Sequence, residues 1–120
     1  MAWLVSDARV LASAEVAPDG ASRRRGLLGR DELDGAFVIQ GCRWVHTLGM
    51  RFAIDVAYLD DKCMVVKVTH MARHRLGLPV GGATWVVEAS SGAFERWGLT
   101  VGDVVELRAH ADEPSSGPPP

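Results

Sequence analysis

Apolar residues along this chain come in short runs broken by polar or glycine-containing turns, and they nowhere sustain the spacing of a long amphipathic helix. The first two runs, residues 3–5 and 9–16, flank a Ser6-Asp7 turn signal and predict an opening hairpin. Pro18-Asp19-Gly20 is a strong turn. Ser22 then stands where an N-cap belongs, and residues 23–28 are expected to form a short helix closed by Gly29. Gly26 costs that helix about 1 kcal/mol against alanine, so it must lean on tertiary packing.

Residues 36–39 form a short apolar run that predicts a buried strand. In residues 52–59, Phe52, Ile54, Val56 and Tyr58 fall on one face, while Ala53, Asp55, Ala57 and Leu59 fall on the other. Both faces are largely apolar, so both are expected to be covered. Asp60-Asp61-Lys62 turns this strand into a second one at residues 63–70. Residues 73–83 are rich in Gly and Pro and read as a loop, followed by a β-branched strand at 84–89. Ser90 and Ser91 are placed to cap a short helix over residues 93–97, stopped by Gly98, and Gly102-Asp103 leads into a last strand at 104–108. The sequence shows no internal repeat. The expected fold class is α+β, mostly β: a small barrel-like or strongly curved mixed sheet of about seven short strands with two short helices. A doubly wound sheet needs longer crossover helices than these. One globular domain is expected over residues 1–110, followed by a disordered Pro/Ser/Gly tail at 111–120.

Composition narrows the function classes. The chain is 48% hydrophobic and 23% charged, ordinary for a globular domain, and its net charge of −2 offers no general attraction for nucleic acid. No stretch approaches the roughly 20 apolar residues of a membrane span, so no membrane partner is expected. Cys42 and Cys63 are too few for a disulfide framework, and the first residues lack the character of a signal peptide. The expected compartment is the cytoplasm.

Three segments carry a likeness. They are Arg25-Gly26-Leu27-Leu28-Gly29-Arg30 with Leu33 and Gly35; His46-Thr47-Leu48-Gly49-Met50-Arg51-Phe52-Ala53-Ile54-Asp55; and Val87-Glu88-Ala89 through Gly92, then Gly102-Asp103. In this order and spacing, across about residues 20–108, they resemble the bacterial and archaeal family called domain of unknown function 192. The commoner family pattern reads Trp-Met-Lys-Asn-Thr, two apolar residues, then Pro-Leu-Asp. Here Gly49 and Met50 stand at the Asn-Thr positions and Ala53 at the proline, a His-Thr-x-Gly-Met variant. A role resting on that Asn-Thr amide and hydroxyl has no counterpart here. The resemblance implies no particular activity, cofactor or partner.

Asp55 is the most informative carboxylate, because it shares a strand face with alanines and a leucine and must be paired, hydrogen-bonded or protonated there. A structural pair, with Arg51 or an arginine of the 23–30 segment, ranks ahead of a ligand-gripping or catalytic role. His46 and Thr47 lie in the loop before that strand, and Glu88 ends a strand before the Ser-Ser-Gly helix start. Convergence of His46, Asp55 and Glu88 would suit a small hydrolase or isomerase, with these three as acid–base groups. The leading expectation is a non-enzymatic module binding a protein or small-molecule ligand through the loop of residues 46–50. Its candidate contacts are Trp44, His46, Thr47, Arg30, Asp55 and Glu88.

Cys42-x₃-His46 and His70-x₃-His74 offer zinc-compatible ligand types but not the tight knuckle spacing of structural zinc, so no metal and no cofactor are expected. Cys63 reads as an inert thiol. Arg23, Arg24, Arg25 and Arg30 read as a solvated face, whereas the run from His70 to Arg75 is the better candidate for an acidic partner. Trp44, Trp85 and Trp97 read as core, with ligand stacking the alternative for Trp44.

Overall fold

Asp7 and Ala8 both take positive φ, 54° and 62°, the twist that a two-residue hairpin loop requires. They turn β1 (Ala2–Ser6) back antiparallel onto β2 (Arg9–Ala17). The computed structural model describes residues 2–17 and 29–109. The helix expected at 23–28 and the tail at 111–120 lie outside these residues. Five more strands follow: β3 (Ala36–Gln40), β4 (Ile54–Leu59), β5 (Val65–Met71), β6 (Trp85–Ser90) and β7 (Val105–Ala109). Among the described residues there is one helix rather than the two expected, α1 (Ala93–Trp97).

The strands form one mixed sheet in the order β5-β4-β6-β3-β2-β1-β7, with β2 and β3 the parallel pair. All six residues of β4 are buried, as its two apolar faces require. Its first residue is Ile54, two later than the pattern predicts. On one face Leu4, Val38, Ala57, Leu59, Val65, Val87 and Phe94 cluster, with α1 packed over them. On the other, Phe37, Ile39, Ile54, Val56, Tyr58, Met71 and Val86 meet Val45 and Met50 from the loop before β4.

The sheet curls until its two edges touch at one end. Val65 donates its N–H to the Asp103 carbonyl (2.8 Å), and its own carbonyl accepts from Gly102 (2.8 Å). Val105 donates to the Cys63 carbonyl (2.9 Å). Beyond this point the edges part, so the barrel-like expectation is corrected to a curled sheet that is not closed. The register is the reason: β7 meets the turn that precedes β5, not β5 itself, and a bulge between Tyr58 and Leu59 shifts β5 further.

Candidate recognition surface

Thr47 is completely buried and spends every polar atom on one neighbouring segment. Its N–H donates to the Arg75 carbonyl (2.8 Å) and its hydroxyl to the Ala72 carbonyl (2.6 Å). The hydroxyl oxygen accepts from the Arg75 N–H (2.9 Å), and the Thr47 carbonyl accepts from His74 (3.0 Å) and Met50 (3.2 Å). That last bond closes a tight turn whose third residue, Gly49, has φ +79°. The same two segments are joined further along by Gly77 donating to Val45 (3.0 Å), Val80 to Arg43 (3.0 Å), and a bridge between His46 and Leu76. The loops of residues 41–53 and 72–84 are therefore stitched into one layer against the Phe37 and Tyr58 face of the sheet.

With the backbone so occupied, side chains turn outward. Trp44 is 40% exposed, not in the core as expected; its indole N–H donates to the Gly77 carbonyl (2.7 Å) and its ring lies 5.3 Å from that of His46. Trp85 and Trp97, half-buried, do pack against the core. Leu48, Leu76 and Leu78 are 45%, 65% and 79% exposed, and the bridge between His46 and Leu76 brings the two loop segments that carry them side by side. Between this layer and β5 lies a cleft of about 400 Å³. Tyr58, Thr69, Met71, Leu76 and Leu78 line it together with the cations Lys67 and Arg75. His46 and His74 each accept a backbone N–H on Nδ1, from Leu48 and Gly49 (3.3 Å each), which fixes both rings to the layer.

Asp55 lies on the opposite face of the sheet from this layer. One carboxylate oxygen contacts His70 Nδ1 (3.2 Å). The other accepts from the N–H groups of Gly92 (3.0 Å) and Phe94 (3.3 Å), the start of α1. The expected arginine partner is thus replaced by His70 and a helix start; Arg51 pairs with Asp31 (3.1 Å) and Arg30 with Glu15 (3.1 Å). The serine cap predicted for α1 is also absent, since Gly92 occupies the cap position and Asp55 supplies the acceptor. The hydrogen bond to Glu15 raises the Arg30 pKa above its ordinary value, against a smaller lowering by burial. Ser91 Oγ approaches His70 at 3.5 Å, but on the same ring nitrogen that meets Asp55, so the ring does not bridge the two as a catalytic relay requires.

Glu88 is fully buried and pairs in register with Val56 and Phe37, whereas Asp55 pairs with Ala89. Strand alternation therefore sends Glu88 and Asp55 to opposite faces, and the structure does not bring the three acid–base candidates together. Cys42 donates its thiol to the Trp44 carbonyl (3.0 Å), and both cysteines are free thiols. Among the described residues no cluster of three or more His, Cys, Asp or Glu is placed to hold a metal. His70 is the partner that sequence reasoning missed for Asp55. The Asp60–Lys62 turn signal does not point to it: folding about those residues would set residue 55 opposite residue 67, and only a later turn together with the bulge after Val65 brings residue 70 there.

A model of the family called domain of unknown function 192, described as an uncharacterized ACR, matches residues 3–107. The chain belongs to this family. Two of the segments that resemble domain of unknown function 192 meet in space, since Asp55 of the second accepts from Gly92 of the third. Asparagine, which the commoner pattern carries at the Gly49 position, is the other residue that tolerates the left-handed conformation found there. The UPF0127 protein of Pyrococcus furiosus is 39% identical over 62 residues, 52% of this chain and 53% of that protein. The chain thus spans about half the length of that curated relative. In fold, this member of domain of unknown function 192 is similar to a protein of unknown function from Novosphingobium aromaticivorans, with TM-score 0.70 and 19% identity, covering 88% of this chain and 82% of that one. It is also similar to a Sinorhizobium meliloti protein named as a candidate transcription regulator, with TM-score 0.64 and 18% identity, covering 88% and 91%. At such identities the likeness is one of fold.

Proposed function

We propose that this domain is a non-enzymatic binding module, and that the stitched loops around residues 46–50 form its recognition surface. One observation carries the reading: Trp44, Leu48, Leu76 and Leu78 stand exposed on a layer whose backbone is already hydrogen-bonded, beside the cations Lys67 and Arg75. Apolar anchors on a rigid support bind with little ordering cost, the cations favour an acidic protein or small-molecule partner, and the net charge of −2 disfavours nucleic acid. Two free thiols suit a cytoplasmic setting. The competing small enzyme built on His46, Asp55 and Glu88 draws no support from carboxylates on opposite faces.

The test is a peptide-display selection against the immobilised domain, with a Leu76→Asp, Leu78→Asp variant as the counter-target. The expected binders are acidic with apolar flanks, and they lose about tenfold or more in affinity for the variant. Binders that do not distinguish the two proteins would remove the loops from the reading.

A further inference from the structure

Among the described residues, β5 is an edge strand whose outer side is covered only at its start. There Val65 bonds to Gly102 and Asp103; from residue 67 to residue 71 no described strand lies beside it. Such an edge is a template for another strand, and proteins that do not use it shorten, bulge or charge it. β5 has a bulge beside Val65 and a lysine at 67, yet it runs for seven residues and keeps Val68, Thr69 and Met71 beyond the bulge.

The register places Lys67, Thr69 and Met71 opposite Tyr58, Val56 and Ile54, so their side chains line the cleft that Arg75 and Leu76 close on its far side. A strand laid along β5 sends alternate side chains into that cleft. Neither Lys67 nor Arg75 meets a carboxylate among the described residues, while the Arg75 guanidinium donates to the carbonyls of Arg73 and His74. The chain as a whole carries a net charge of −2, so these cations mark a local reversal of sign.

We infer that the free edge of β5 at residues 67–71 accepts an added strand from an extended acidic segment of a partner protein, whose carboxylates meet Lys67 and Arg75 in the cleft. This rests on the reading of the neighbouring loops as a recognition surface, and it names the mode and the partner chemistry. The β strand supplies backbone pairing, the cleft supplies room for alternate side chains, and the two cations select charge.

The experiment uses the full chain and a capped peptide alternating glutamate and valine, about eight residues long and thus within the range of natural strands. Amide hydrogen exchange at residues 67–71 is expected to slow about tenfold or more at saturating peptide. Of two peptides N-methylated at one or the other alternate set of residues, one should lose binding, because it lacks the N–H groups that face β5. The Lys67→Glu, Arg75→Glu protein is expected to lose the acidic peptide and gain one alternating lysine and valine, a charge-swap rescue that a folding defect would not produce. If both N-methylated peptides bind as well as the parent, or protection appears at the loops and not at 67–71, strand addition is overturned while the recognition surface stands. No binding of the acidic peptide at about 1 mM also overturns it, and the display selection separately decides the fate of the loops.

Discussion

Asp55 spends a nearly buried carboxylate on the entry to a five-residue helix. With Gly92 at the cap position and no side-chain cap of its own, α1 depends on an acceptor brought from β4, across the sequence but adjacent in the sheet. Its other contact, His70, is half exposed and adds little, as exposed pairs contribute about 0–1 kcal/mol. Asp55→Ala is accordingly expected to cost about 1–3 kcal/mol through the two stranded N–H groups, and Asp55→Asn clearly less because its amide oxygen still accepts. Denaturant melts of the two variants check this; equal losses would count against the cap. Thr47→Val keeps the shape but leaves the Ala72 carbonyl and the Arg75 N–H without their partner, so a loss of about 2–3 kcal/mol is expected, with Thr47→Ser close to wild type. That Asp55 needs a partner was legible from its alternation among Ala53, Ala57 and Leu59. Which partner was not, because a face is local information and a cross-strand neighbour depends on where the hairpin turns.

At the scale of elements, alternation and turn residues were enough for β1, β2, β3, β5, β6 and β7 to within a residue or two. β4 begins later than its pattern because Phe52 and Ala53 belong to the loop stitched against residues 72–84. That stitching was invisible in the sequence: it consists of backbone bonds between two irregular segments, and backbone groups carry no side-chain signature. Gly77 tests its tightness. A Cβ there would stand 2.7 Å from the Val45 carbonyl, on which the Gly77 N–H already donates. Gly77→Ala is therefore expected to push the loops apart and lower Tm by about 5–10 °C, or roughly 1–2 kcal/mol. Exchange protection should fall first at Thr47 and Arg75. The candidate site was half legible for the same reason. The loop of residues 46–50 was singled out by its composition, but its exposed leucines at 76 and 78 came from a segment recognised only as irregular.

At the scale of the whole molecule, seven short strands predicted a curved sheet, but not whether it closes. Closure depends on register summed around the sheet, and a single bulge beside Val65 changes it. The last strand ends at Ala109, already paired with Ala2, so removing residues 111–120 is expected to leave Tm within about 1 °C of the parent. A fall of several degrees would show that the segment contributes to stability. β1 has β2 on one side and β7 on the other, the second and the last of the described strands in chain order. On the ribosome the first neighbour emerges at once and the second only when the rest of the domain has been made. Until residues 105–109 have emerged, Leu4 and Val5 therefore sit on a strand with one side unprotected, although both are buried in the finished fold. Any pause in synthesis before Val105 prolongs that interval, and with it the time in which two nascent chains can pair with each other instead of with themselves.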